Sequence, residues 1–263
     1  MDMPFDGKPP SETIVISLPK LAGAIDHCLL LPNLSDDEVR DGLLLARDYN
    51  VAAVCVKPSS MPFTWKIIWG ISNVRVCGVA GSQSPRPNDN ARDAMFMLSG
   101  MAREIDMVVD SDKVLSGEWD YIEDEVKTVK KLCDAKCAAL KVIFKDNQLQ
   151  DEQIIRLCEI CTREKVAFIG IDYNLTEHFD DTHSHKSVSI SRLTLIRRHV
   201  GAEVKIKVVS NVKTLDELLY AISLDVTRVG TSSTANIIEE AKTRGIGQAE
   251  VEVDVKIPNN FEE

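Results

Sequence analysis

Apolar residues in this chain cluster in two alternating patterns. The first is a short, dense run rich in Val and Ile: IDHCLL (25–30), VAAVCV (51–56), VRVCGVA (74–80), EIDMVV (104–109), AALKVIF (138–144), VAFIGI (166–171), EVKIKVV (203–209) and VTRVG (226–230). Runs of this length and composition predict strands buried on both faces. The second pattern returns every three or four residues and predicts amphipathic helices. One opens at Ser35-Asp36-Asp37-Glu38, an N-cap with an acidic first turn, and leads into VRDGLLLARDY. Others span about 88–101, 117–134, 150–163, 189–199, 214–223 and 234–243. Eight strands alternating with helices predict a parallel sheet, and eight such strands close into a single (β/α)8 barrel, a TIM barrel of the α/β class.

A length of 263 residues suits one such barrel, which takes about 250. No composition break divides the chain. The expected organisation is a flexible N-terminal arm (1–15), one barrel domain (16–245) and an acidic C-terminal tail (246–263). The tail alternates like a strand at AEVEVDVKI, so it either folds back or offers an edge to another chain. A net charge of -10 and a pI near 5.1 argue against nucleic-acid or anionic-membrane partners. The chain has no apolar stretch of about 20 residues to span a membrane. It also shows no basic start followed by an apolar run, as a secretory signal would. Seven cysteines, an odd number, fit reduced thiols and a cytoplasmic protein. Cys158-x-x-Cys161 lies inside the helical pattern DEQIIRLCEICTREK and reads as packed helix cysteines, with no metal assigned to it.

In a barrel of this kind, chemistry gathers where strands end, at the C-terminal face. The candidates are therefore the inward-facing positions late in each strand and just beyond: Asp26, Lys57, Asp106, Lys141, Gly170, Lys207 and the loop Gly230-Thr231-Ser232-Ser233. A charge inside an apolar strand is costly unless paired. Asp106, Lys141 and Lys207 are thus expected to meet across the barrel, as catalytic groups or as a structural ion-pair network.

Taken in order, these residues resemble the deoxyribose-phosphate aldolase family. Ile25-Asp26-His27-Cys28-Leu29-Leu30 is similar to the family's Ile-Asp-His-Thr-x-Leu opening, and Ala52-Ala53-Val54-Cys55-Val56 to its second strand. Glu104-Ile105-Asp106-Met107-Val108 resembles its fourth strand, Leu140-Lys141-Val142-Ile143 its fifth, and Gly230-Thr231-Ser232-Ser233 the phosphate loop after its eighth. The resemblance implies a barrel that joins or cleaves acetaldehyde and glyceraldehyde 3-phosphate through a lysine imine, without a cofactor. In the family the imine lysine is on the sixth strand, a second lysine on the seventh depresses its pKa, and an aspartate on the fourth assists proton transfer. Asp106 matches the aspartate and Lys207 the second lysine.

The sixth strand departs from that pattern. Where the family reads Phe-Val-Lys-Thr-Ser-Thr-Gly-Phe, this chain reads Phe168-Ile169-Gly170-Ile171-Asp172-Tyr173-Asn174-Leu175, so Gly170 takes the place of the imine lysine. Leu31, before Pro32, replaces another family lysine, and Cys28 replaces a threonine. The glycine pair that lets backbone approach a phosphate is Ser210-Asn211, preceded by Val209 in place of a serine; Asn174 and Thr234 replace two further glycines. A longer loop, 176–187, carries His178, His183 and His185 among acids and reads as a surface loop overhanging the mouth, with a divalent-metal site of His183, His185 and Asp180 or Asp181 as the alternative.

The expectation is a family member that has lost deoxyribose 5-phosphate cleavage. It would act by binding a protein partner, a phosphorylated small molecule, or both, with a homodimer implied by the habits of relatives. Gly230, Thr231, Ser232, Ser233, Ser210 and Asn211 are the expected phosphate contacts. The alternative is a carbon–carbon lyase of altered substrate, with Lys207 or Lys141 as the amine and Gly170 leaving it room.

Overall fold

The computed structural model describes residues 12–31, 33–68, 73–81, 89–145, 149–172, 188–209, 212–258 and 261–262. Eight parallel strands close a barrel: β1 (Ile25–Leu29), β2 (Ala53–Val56), β3 (Arg75–Ala80), β4 (Glu104–Val108), β5 (Ala139–Lys145), β6 (Phe168–Asp172), β7 (Lys205–Val209) and β8 (Val226–Thr231). Each strand pairs with the next in sequence, and β8 pairs with β1. This is the (β/α)8 barrel that the apolar runs predict.

One main helix follows each strand, α1 (Asp36–Asp48), α2 (Met61–Ile68), α3 (Asp89–Ser99), α4 (Trp119–Asp134), α5 (Asp151–Arg163), α6 (Ile190–His199), α7 (Leu215–Ser223) and α8 (Thr234–Thr243), and the described residues also hold short helices at Leu18–Gly23 and Ser111–Leu115. Local chemistry fixes several starts. Ser35 accepts from the Glu38 backbone while the Glu38 carboxylate returns to the Ser35 backbone, and Thr214 and Glu217 do the same at α7. Helix α2 is absent from the periodicity reading, because MPFTWKII carries Pro62 and is short. Proline in a first turn costs no helical hydrogen bond, so the helix forms all the same.

Among the described residues, none of these helices is long and apolar enough to cross a membrane. Cys158 and Cys161 are buried on α5, and burial pushes the Cys158 thiol up to about 12. They pack as the helical pattern predicts.

The apolar core lies mostly between strands and helices. A second, smaller cluster (Ala53, Cys55, Cys77 and Val79) occupies the alternate positions of β2 and β3, facing into the barrel. Outside the barrel, Thr13–Ile16 pairs antiparallel with Val251–Asp254, so the tail folds back onto the end of the arm. Val251, Val253 and Val255 pack against the main core. Residues 1–11 of the arm lie outside the described residues.

Candidate functional site

Strand register assembles the site. Lys141 on β5 lies beside Asp106 on β4; Gly170 on β6 lies between Ile143 on β5 and Lys207 on β7; Lys207 lies beside Arg228 on β8. Neighbours in register point to the same side of a sheet. The side chains of Asp26, Glu104, Asp106, Lys141, Lys207 and Arg228 therefore converge inside the barrel, where all six residues are buried.

They bind one another. Lys141 Nζ stands 2.7 Å from Asp26 Oδ2, 2.5 Å from Glu104 Oε2 and 3.4 Å from Asp106 Oδ1. Lys207 Nζ stands 2.6 Å from Asp106 Oδ2 and 2.8 Å from Asp26 Oδ2. Arg228 places Nη1 2.6 Å from Asp26 Oδ1 and Nη2 3.6 Å from Glu104 Oε1. Glu104 also holds Arg75, whose side chain is largely exposed, at 3.0 Å. Three carboxylates thus face three fully or nearly fully buried cations, and the formal charges cancel. The Phe168 ring lies beneath this array, with Lys141 Nζ and the Arg228 guanidinium each 5.6 Å from its centroid.

The pairing decides the protonation states. Burial would raise Asp26, but Lys141, Lys207 and Arg228 outweigh it and hold its carboxyl well below the usual range. Burial likewise works against Asp106, and Lys141 and Lys207 again prevail, so it too is lowered. Burial would depress both lysines, yet Asp106 and Asp26 reverse the effect and both stand well above the ordinary lysine value. The interior amines are ammonium ions, each already committed to carboxylates.

Gly170 is buried in the wall of this chamber. A Cβ built there would meet Ile143 Cδ1 and lie 3.6 Å from Lys207 Cβ. The flexible end of the Ile143 side chain lies beside Gly170, and both Lys141 and Lys207 reach the centre of the barrel. Lys57, just past β2, donates from Nζ to the Leu31 carbonyl beyond β1 at 2.7 Å.

At the phosphate-loop positions, the Thr231 hydroxyl donates to the Val212 carbonyl and accepts from the Ser233 N–H at 2.9 Å. Ser233 precedes α8 without a side-chain cap. His27 Nδ1 is 2.9 Å from Thr234 Oγ1, tying β1 to the first turn of α8, and burial lowers its pKa to about 4. Ser210, Asn211, Asn174 and the 176–187 loop with His178, His183 and His185 lie outside the described residues.

Sequence reasoning missed Glu104 and Arg228. A signal was present: each sits two residues before a residue that was singled out, Asp106 and Gly230, and so on the same face of its strand.

No family model matches the chain. Curated relatives do. A deoxyribose-phosphate aldolase of Rhodopirellula baltica is 32% identical over 231 residues, covering 87% of this chain and 92% of that protein. One from Caldanaerobacter subterraneus subsp. tengcongensis is 27% identical over 234 residues, covering 88% of this chain and 97% of that protein. Among solved structures, QR15, an aldolase, superposes with a TM-score of 0.75 at 25% identity, covering 86% of this chain and 97% of that one. The tetrameric deoxyribose phosphate aldolase of Aeropyrum pernix superposes with a TM-score of 0.72 at 21% identity, covering 87% and 93%.

Proposed function

This chain belongs to the deoxyribose-phosphate aldolase family, and we propose that it is a member that has lost deoxyribose 5-phosphate cleavage and acts by binding a protein partner, a phosphorylated metabolite, or both. The observation that carries this reading is the state of the amines. Gly170 stands where the resemblance places the imine lysine, and a glycine offers no nitrogen there. The two interior lysines that remain are buried and paired with at least two carboxylates each. An imine needs a neutral amine with a free lone pair. Here the Asp106 and Asp26 carboxylates outweigh burial, and at Lys141 also the neighbouring Lys207 charge, so both amines favour the ammonium form. Withdrawing either lysine to attack a carbonyl would also strip a cation from a closed network. Breaking a buried pair in that way costs about 3–5 kcal/mol.

The metabolite half of the proposal rests on the Gly230-Thr231-Ser232-Ser233 loop. Ser233 makes no side-chain cap at the start of α8, which leaves backbone N–H groups there for an anion. Ser210 and Asn211, in place of a glycine pair, weaken that cradle relative to the family. The partner half rests on charge: a chain of net charge -10 favours a basic protein surface.

Incubation of the purified protein with deoxyribose 5-phosphate, read as aldehyde release, tests the loss of cleavage. The expected result is release no faster than in buffer. Sustained turnover abolished by heat denaturation would sink the proposal.

A further inference from the structure

The network above uses carboxylates and cations. Three thiols also line up inside the same barrel, and two of them, Cys55 and Cys77, donate to Asp106. Register sets Cys28 on β1 beside Cys55 on β2, and Cys55 beside Cys77 on β3. Strands so paired run about 4.8 Å apart, so the three sulfurs form a short row at one level of the wall. Cys55 and Cys77 are fully buried, and Cys28 is partly exposed.

Asp106 faces this row from β4. Its Oδ1 is 3.1 Å from Cys77 Sγ and its Oδ2 is 3.8 Å from Cys55 Sγ. The donor atoms of Cys55, Cys77 and Asp106 all lie within 4.8 Å of one another. Around a tetrahedral zinc ion, with sulfur at about 2.3 Å and oxygen at about 2.1 Å, donor atoms stand roughly 3.5–4 Å apart. The observed spacings bracket that value, so small rotations of the side chains would close the shell.

We propose that Cys55, Cys77 and Asp106 form a site for a thiophilic divalent cation of the zinc class, with Cys28 as a fourth donor on the more exposed side.

Electrostatics permit the ion despite the neighbouring lysines. Exchanging two thiol protons for one divalent cation leaves the net charge of the chamber unchanged. Asp106 can turn to the metal without orphaning an ammonium: Lys141 keeps Asp26 at 2.7 Å and Glu104 at 2.5 Å, and Lys207 keeps Asp26 at 2.8 Å. The same two ammonium groups lie 3.6 Å from sulfur, Lys141 at Cys77 and Lys207 at Cys55. Cys28 gives the site a partly exposed approach. The spacing motif visible in sequence, Cys158-x-x-Cys161, is buried in the packing of α5 and is not the site.

Cobalt(II) tests this on the full-length protein after reduction and removal of metal with a chelator. The site predicts one equivalent of Co2+ bound with a sulfur-to-cobalt charge-transfer band, bleached by one equivalent of Zn2+. The band is lost in Cys55→Ser and Cys77→Ser and kept in Cys158→Ala/Cys161→Ala. Should the serine variants fail to fold, zinc-edge X-ray absorption of the wild-type protein decides, with two or three sulfur neighbours at about 2.3 Å expected. The proposal fails if there is no sulfur-derived band and a zinc shell of oxygen and nitrogen alone. It fails equally if the band survives the loss of Cys55 and Cys77.

Discussion

Each of the three carboxylates of the network, Asp26, Glu104 and Asp106, accepts from more than one cation, and Asp26 accepts from Lys141, Lys207 and Arg228. Asp26→Asn would leave three buried cations facing two carboxylates. The expected cost is about 3–5 kcal/mol, read as a lower urea midpoint at neutral pH. His27 gives a separate pH signature. Its folded pKa, about 4, lies below its ordinary 6.5, so the unfolded chain takes up the proton first as pH falls. Stability from this group is full above pH 6.5 and is lost as pH falls toward 4, by on the order of 3 kcal/mol. Urea midpoints across that window check it, and His27→Gln should flatten the curve. The signs for the network differ. Asp26 and Asp106, lowered in the fold, contribute above about 3.8 and lose that contribution below it; Lys141 and Lys207, raised, contribute below 10.5 and lose it only well above. At Gly170, a new lysine meets Ile143 and adds a fourth cation to a balanced chamber. Gly170→Lys should therefore cost about 1–3 kcal/mol and leave deoxyribose 5-phosphate turnover at background. Robust turnover by that single variant would contradict the packing argument.

At the scale of elements, the tail and the arm stabilise each other. Val251, Val253 and Val255 each bury part of a side chain on the core, and Thr13–Ile16 has this strand as its partner in their two-stranded sheet. Truncation after Gln248 removes three half-buried valines and their ladder, about 2–4 kcal/mol in all. Hydrogen exchange should then show the amides of 13–16 unprotected, and unchanged protection would disprove the pairing. The barrel strands themselves were legible in sequence. Each lies within two residues of its expected limits, because a strand buried on both faces leaves an unbroken apolar run. The tail was legible only as strand-like, since alternation does not name the partner. Inside the barrel, Asp106, Lys141 and Lys207 stood out because charge interrupts apolar runs. Glu104 opens its strand and Arg228 sits in a short run beside Thr227, so neither broke a pattern. The cysteine row was invisible, because it depends on register between strands far apart in the chain.

The whole molecule is an aldolase-family barrel whose interior charges satisfy one another. The chamber that would need a neutral amine holds three carboxylates and three cations in mutual contact, with Ile143 packed where a sixth-strand side chain would project. Such a chamber can persist as scaffold while the loops and surface take on binding. The most direct measurement is chemical trapping: the native protein is incubated with acetaldehyde and then with deoxyribose 5-phosphate, each in the presence of borohydride, and its lysines are read by peptide mass spectrometry. The account predicts that Lys141 and Lys207 remain unmodified while exposed surface lysines react only as they do in a denatured control. A substrate-dependent reduced adduct on Lys141 or Lys207 would contradict it.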